Sequence, residues 1–151
     1  MKKIILSVCV VMVSTLFSCK NENSVNPRPS DQIIGKATIT GRVKAELNTT
    51  NTSLESVPDG IKVIAEISTA DLVLNPTGIT YPKKYYETTT KNGEYSIDVE
   101  VGPNGTNVVL YFTDFRADVT TATNPISTLF VGSTKATSVI KGRSKIVDYT
   151  Y

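Results

Sequence analysis

Apolar and polar residues alternate with a period of two through much of the chain after residue 36, and this pattern predicts β-strands. In residues 37–45 one face carries the apolar side chains Ala37, Ile39, Val43 and Ala45. Gly41 interrupts this series and predicts a bulge. Residues 60–68 alternate in the same way, and residues 107–115 are rich in β-branched and aromatic side chains, as expected for a central strand.

The clearest pattern is TTTKNGEYSIDVEV, residues 88–101. Asn92 and Gly93 lie between two alternating segments, and this dipeptide is typical of a two-residue hairpin turn. We therefore expect strands over residues 84–90 and 94–101, paired as a hairpin. Such a hairpin would place three residue pairs opposite each other, namely Lys91 with Glu94, Thr89 with Ser96, and Glu87 with Asp98.

Further strands are expected at residues 127–131 and 144–151, and no segment has a convincing helical period. About seven short strands separated by turn signals predict an all-β fold, a single antiparallel β-sandwich over residues 34–151. The spacing leaves transthyretin-like and immunoglobulin-like topologies open. It also leaves open the strand order around residues 69–82, an expected irregular crossover, and which face of the last strand is buried.

The first eighteen residues have a different pattern, with a basic start followed by an apolar run over residues 4–17. This run is shorter than the roughly 20 apolar residues of a permanent membrane span, and it predicts an export signal. Residues 16–19, LFSC, resemble the lipobox of bacterial lipoproteins. The resemblance implies cleavage before Cys19 and lipid on its sulfur, whereas ordinary secretion with an incidental Cys19 is the alternative.

Residues 19–33 begin with Cys19 and continue as a polar segment with two prolines, which predicts a flexible tether. Lys20 follows Cys19, in place of the Asp that signals inner-membrane retention in the lipoproteins that the motif resembles. We therefore expect a cell-envelope protein attached to the outer membrane through its lipid. The pattern leaves open which leaflet holds the anchor and whether the domain faces the cell surface.

Composition narrows the possible chemistry. The chain has 16 basic and 14 acidic residues, and removal of Lys2 and Lys3 with the signal would leave 14 of each. No basic block remains, so a nucleic-acid partner is not expected. The chain has no histidine, which excludes serine or cysteine nucleophiles activated by histidine, and histidine-based zinc sites. Its two cysteines, Cys9 and Cys19, lie outside the predicted domain.

Four segments in order, ITGRVKAE, VPDGIKVIAEI, TTTKNGEYSIDVEV and NVVLYFTDF, resemble the carboxypeptidase regulatory-like modules found on Bacteroidetes-type lipoproteins. The resemblance covers roughly residues 36–115. Its matching positions are Gly41, Val43, Gly60, Val63, Thr89, Thr90, Gly93, Tyr95 and Ile97. It implies a transthyretin-like sandwich that supports, spaces or binds, and it supplies no catalytic residues.

Three candidate surfaces follow. Glu87 opposite Asp98 would set two carboxylates together, which favours a calcium ion or a neighbouring lysine between them. Tyr81 and Tyr85 could form a patch that contacts a glycan or a protein, although ordinary surface tyrosines are the alternative. The acidic row from residue 94 to residue 100 could serve hydrolysis only inside a cleft, and we interpret it as a solvated face.

The function that these features favour is a non-enzymatic structural or interaction module, partnered with an envelope protein or a glycan. The alternative is a glycan- or calcium-binding accessory lipoprotein of a surface uptake system. No cofactor is expected apart from that calcium ion.

Overall fold

The computed structural model describes residues 34–78 and 80–151. The predicted signal peptide, Cys19 as the predicted lipidation site, and the whole predicted tether over residues 19–33 lie outside the described residues. The strands are β1 (Gly35–Ala45), β2 (Glu55–Ser56), β3 (Lys62–Ser68), β4 (Lys83–Thr89), β5 (Glu94–Val101), β6 (Thr106–Phe112), β7 (Phe115–Val119), β8 (Ile126–Phe130), β9 (Thr134–Val139), β10 (Ser144–Ile146) and β11 (Tyr149–Thr150). A short 3₁₀ helix, Thr69–Leu72, follows β3.

The strands form two packed sheets and a separate arm. In the first sheet β1 is central, with β5 and β2 along one side and β10 and β11 along the other. The second sheet has the order β4-β3-β6-β9, with antiparallel neighbours throughout. β7 and β8 pair only with each other as strands and form the arm. The predicted all-β sandwich is confirmed.

The core lies between the inward faces of the two sheets, as the alternation of apolar and polar residues predicted. The first sheet contributes the buried apolar residues Ala37, Ile39, Val43, Ala45, Tyr95, Ile97, Val99 and Val101. The second contributes Val63, Ala65, Ile67, Val108, Leu110 and Phe112. The apolar faces predicted for residues 37–45 and 60–68 are therefore confirmed.

The turn at Asn92 and Gly93 forms as predicted, but the hairpin does not continue beyond it. Both residues have positive φ, 53° and 72°, and Lys91 and Glu94 exchange two backbone hydrogen bonds of 2.8 and 3.0 Å. Beyond this bridge, in the described chain, β4 pairs with β3 and β5 pairs with β1. The predicted pairings of Thr89 with Ser96 and of Glu87 with Asp98 are therefore wrong.

The two strands separate because the turn is held at the junction between the sheets. The Gly93 carbonyl accepts a 2.7 Å hydrogen bond from the Val43 N–H of β1. The Asn92 N–H donates a 2.6 Å bond to the Asp59 carboxylate, in the loop before β3. One side of the turn is thus bound to each sheet, and each strand completes a different one.

Gly41 marks a close approach of two backbones, and the bulge predicted there is absent. The register of β1 on β5 is continuous from Thr40 through Gly41 to Arg42. The Val147 carbonyl lies where a Cβ of residue 41 would project. A side chain at this position would displace the segment that joins β10 to β11.

The last part of the chain differs in direction from the expected antiparallel strand. It forms two short strands, β10 and β11, and both run parallel to β1. The face that carries Tyr149 is the buried one, whereas Ile146 is 72 % exposed. Strands β7 and β9 were not predicted. In β9 only one side chain, that of Val139, is buried, so the strand has little apolar alternation.

The sandwich has two distinct ends. Strand β1 enters at Gly35 and leaves at Ala45, and its eleven residues span roughly 35 Å. The entry end contains Gly35 and the turn at residues 140–143, because the Gly142 N–H donates a 2.8 Å hydrogen bond to the Lys36 carbonyl. The far end contains the turn at Asn92 and Gly93 and the arm.

Candidate functional site

The outward face of the second sheet carries a cluster of aromatic, charged and aliphatic side chains. We call this cluster the tyrosine face, and its members are Ile64, Glu66, Lys83, Tyr85, Val109 and Tyr111. Glu66 lies at its centre, since the strand register pairs it with Tyr85 of β4 on one side and Val109 of β6 on the other. The same alternation that buries Ala65 and Ile67 directs Glu66 away from the core.

Glu66 is only 8 % exposed although it points away from the core. Its Oε2 accepts a 2.9 Å hydrogen bond from the Tyr111 hydroxyl, and its Oε1 lies 2.5 Å from the Lys83 Nζ. Neighbouring side chains thus cover the carboxylate and satisfy both of its oxygens. The structure fixes its position, whereas an ordinary surface glutamate samples many rotamers.

These contacts hold Glu66 in its ionised form. The hydrogen bond from Lys83 lowers the pKa of the Glu66 carboxyl more than burial raises it, and the Tyr111 hydroxyl lowers it further. The same contacts with Glu66 raise the pKa of Lys83 and of Tyr111. At neutral pH the cluster therefore contains an ionised carboxylate beside two protonated donors.

Tyr85 supplies the exposed ring of this face. It is 56 % exposed and lies beside Glu66 in the strand register. Tyr86, the next residue, packs against the core, so the expectation that these two tyrosines face opposite ways is confirmed. An exposed ring beside this ordered cluster can stack against an apolar surface, and the exposed ammonium of Lys83 can donate hydrogen bonds to a ligand.

Tyr81, the other tyrosine predicted for this surface, has a hydrogen bond within its own loop. It is half-buried in the loop before β4, and its hydroxyl accepts a 3.2 Å hydrogen bond from the Thr77 N–H. In the described part of the chain no aromatic contact links Tyr81 to Tyr85. The polar partners that complete the face, Glu66, Lys83 and Tyr111, were not predicted. Alternation alone would have placed Glu66 and Tyr111 on outward faces.

The carboxylates expected to share a calcium ion lie on the outward faces of different sheets. Glu87 forms a 3.0 Å ion pair with Lys62, and Asp98 accepts a 2.7 Å hydrogen bond from the Thr38 hydroxyl. Within residues 34–78 and 80–151, no group of three potential metal ligands comes together. The repulsion that suggested a bridging cation is therefore absent, because each carboxylate has its own partner.

The acidic row on β5 is likewise partnered. Glu94 lies 3.3 Å from Arg42, and Glu100 lies 2.7 Å from Lys84. A shallow open groove of about 800 Å³ borders the row near Arg42 and Asp148, where the Asp148 carboxylate accepts a 2.7 Å hydrogen bond from the Arg42 N–H. Most of the residues that line the groove are polar, and Arg42 and Glu94 form an ion pair within its wall.

The chain matches no protein-family model, and it matches no curated protein. Among the residues that the structure describes, no helix has the length and hydrophobicity needed to cross a membrane.

Proposed function

We propose that this protein is a non-enzymatic interaction module of the bacterial cell envelope, anchored to the outer membrane through lipid on Cys19. The tyrosine face is its binding surface, and its partner is an envelope protein or a glycan. The anchoring rests on the lipobox-like LFSC motif at residues 16–19 and the polar tether that follows it. The transthyretin-like module that the sequence resembles has the same supporting or binding role.

One observation carries the assignment of the binding surface. Glu66 is 8 % exposed on an outward sheet face, with Lys83 and Tyr111 bound to its two oxygens. Ordering a flexible acidic side chain costs entropy on binding, and this cost is already met within the fold. The exposed Tyr85 ring stands beside it, and tyrosine is among the residues that most often dominate binding energy.

Glycan binding, in an accessory lipoprotein of a surface uptake system, is the second candidate. It is favoured by the adjacency of Tyr85 to Glu66. The flat C–H face of a sugar packs against an exposed aromatic ring, and sugar hydroxyls accept hydrogen bonds from the exposed Lys83 ammonium. A protein partner would instead cover the whole face, including Ile64 and Val109.

The binding surface is tested by capturing partners of the lipidated protein from its native membrane and by screening the same protein on a glycan array. Tyr85→Ala should weaken binding roughly thirtyfold, as expected when a tyrosine worth about 2 kcal/mol is truncated. Tyr81→Ala is the matched control and should leave binding unchanged. If the protein binds a glycan on the array and captures no protein from the membrane, the second candidate function is identified. Binding that survives both Tyr85→Ala and Glu66→Gln would exclude the tyrosine face.

The anchor is tested separately. Metabolic labelling with a fatty-acid analogue should label the wild-type protein, and Cys19→Ser should abolish both the label and the recovery of the protein with outer membranes. If the wild-type protein carries no label and fractionates with soluble proteins, the proposed anchor is wrong. The Tyr85 experiment would still test the binding surface.

A further inference from the structure

The entry end of the sandwich gathers four cationic side chains, Lys36, Lys141, Arg143 and Lys145. The turn at residues 140–143 lies beside the start of β1, since the Gly142 N–H donates a 2.8 Å hydrogen bond to the Lys36 carbonyl. The aliphatic part of Lys141 lies directly over Gly35. Lys145 lies two residues after this turn, in β10, where it pairs with Ile39 of β1.

The four cations are available to an external anion. All of them are exposed, and in residues 34–78 and 80–151 none takes part in an ion pair. The acidic residue opposite Lys36 in the strand register is Glu100, and its carboxylate is bound to Lys84 at 2.7 Å. Because the chain after Cys19 would carry equal numbers of acidic and basic residues, this end is a local excess of positive charge.

Two exposed apolar side chains lie at the same end. Ile34 is 38 % exposed immediately before β1, and Ile140 is 66 % exposed at the start of the basic turn. Cationic side chains that flank exposed aliphatic ones are the composition of surfaces that rest at a membrane interface, where the apolar groups enter the headgroup region. We call this set of six residues the basic end.

The predicted lipid site precedes β1, so the membrane is the surface that lies nearest to the basic end. Residues 20–33 separate the predicted lipid site from Ile34, and a flexible tether of fourteen residues, as predicted there, would span a root-mean-square distance of roughly 20 Å. The tether therefore keeps the basic end close to the membrane surface and raises its effective concentration there. The tyrosine face lies on the side of the sandwich, and the arm lies at the far end.

We infer that the basic end docks on anionic lipid headgroups of the membrane that carries the anchor. This inference rests on the anchoring proposed above. Each cation near an anionic membrane surface strengthens attachment about fivefold, so the four cations together should strengthen it several hundredfold, with or without the lipid. Docking would fix the orientation of the sandwich and direct the arm away from the membrane.

The test uses the chain from residue 19 onward with Cys19→Ser, so that no lipid contributes. This chain keeps the whole sandwich, because every residue of the core lies between Ala37 and Tyr149. Cosedimentation is measured with phosphatidylcholine vesicles and with vesicles that also contain phosphatidylglycerol. We expect binding to the anionic vesicles alone, weakened by salt, and weakened at least tenfold by Lys141→Glu with Arg143→Glu.

The matched control is Lys91→Glu with Arg116→Glu, which makes the same charge change at the far end and on the arm. It should reduce binding much less. Equal loss in both double variants would show a general charge effect and overturn the inference, as would equal binding to neutral vesicles or no binding at all. These outcomes are independent of the Cys19 labelling and of the Tyr85 experiment, so the failure of one proposal is distinguishable from the failure of another.

Discussion

The Tyr95 hydroxyl donates a 2.8 Å hydrogen bond to the Val147 carbonyl, across the backbone of Gly41. Tyr95 belongs to β5, and Val147 joins β10 to β11, so this bond ties together the two sides of β1. The tyrosine is 4 % exposed, and burial raises the pKa of its hydroxyl, followed by the effect of Asp148. The close approach is possible because residue 41 has no side chain.

Tyr95→Phe should destabilise the protein by about 1–3 kcal/mol, because the Val147 carbonyl loses its partner in a partly buried site. Urea unfolding measures this change. Gly41→Ala should be at least as damaging, since the new Cβ would overlap the Val147 backbone. Tyr85→Phe removes an exposed hydroxyl and serves as control, with a change within about 0.5 kcal/mol. A stability of Tyr95→Phe equal to that of the control would contradict the assigned role.

A chain of aromatic contacts attaches the arm to the sandwich. Phe115 and Phe130 stack at 4.8 Å between ring centroids, and Tyr151 meets both rings edge-on. Tyr151 also donates a 2.6 Å hydrogen bond to the Thr113 carbonyl, and it contacts Tyr149, which stacks on Phe112 of the core. The arm is thus attached by these rings at its base and, after β7, by two backbone hydrogen bonds of 2.9 and 3.0 Å between Thr120 and residues 47 and 49.

Phe130→Ala should release the arm while the sandwich stays folded. We expect hydrogen-exchange protection to fall in β7 and β8 and to persist in β3 and β6, because the substitution removes ring contacts of the arm and leaves the strand pairs of the core intact. Leu129→Ala is the matched control, since Leu129 precedes Phe130 on the opposite face of the same strand and is 46 % exposed. Global loss of protection in Phe130→Ala would show that the arm is part of the cooperative core.

Local patterns predicted the faces of the strands better than their partners. Alternation identified the buried side of β1, β3 and β5 because each strand faces the core along its whole length. The dipeptide at Asn92 and Gly93 correctly predicted a turn, since its positive φ angles are a local property. Which strand pairs with β5 beyond the turn depends on contacts of Gly93 with β1, and these are distant in sequence.

Local patterns also failed to predict the C-terminal strands and the residues that meet on the tyrosine face. The polar residues of β9 and the exposed Ile146 of β10 lie at sheet edges. Few side chains are buried there, so apolar and polar residues do not alternate clearly along these strands. Glu66 could be placed on an outward face from its neighbours alone. That Lys83 and Tyr111 would cover it depends on β4 and β6 flanking β3, a pairing that no local pattern specifies.

Glu66 should contribute to the pH dependence of stability on the acid side. Its pKa in the folded protein is lowered, first by the hydrogen bond from Lys83, so its contribution is complete above the ordinary value of 4.5. The contribution is lost as the pH falls through the folded value. Glu66→Gln should therefore lower Tm at neutral pH and make the decline of Tm below about pH 4.5 shallower.

Thermal melts of both proteins at a series of pH values between neutrality and strong acid measure this effect. Glu87→Gln provides the control, because Glu87 forms an exposed ion pair with Lys62 that solvent screens. It should change Tm much less at neutral pH. Parallel melting profiles for the wild type and Glu66→Gln over the acid range would contradict the role of the Glu66 contacts.

The Thr90 hydroxyl joins the turn region to the start of β3. Thr90 is 2 % exposed, and its hydroxyl donates a 2.8 Å hydrogen bond to the Pro58 carbonyl while it accepts a 3.1 Å bond from the Ile61 N–H. Thr90→Val keeps the shape of the side chain but leaves both backbone groups without this partner. Each such loss costs about 1–3 kcal/mol, so the variant should be less stable than wild type by several kcal/mol at most.

Thr90→Ser separates the hydrogen bonds from packing. It retains the hydroxyl and removes one buried methyl group, which costs about 1 kcal/mol. Urea unfolding should therefore rank the wild type above Thr90→Ser and Thr90→Val last. If Thr90→Val were the more stable of the two variants, methyl packing would dominate at this position, and the hydroxyl would not be what holds the loop before β3 against the turn.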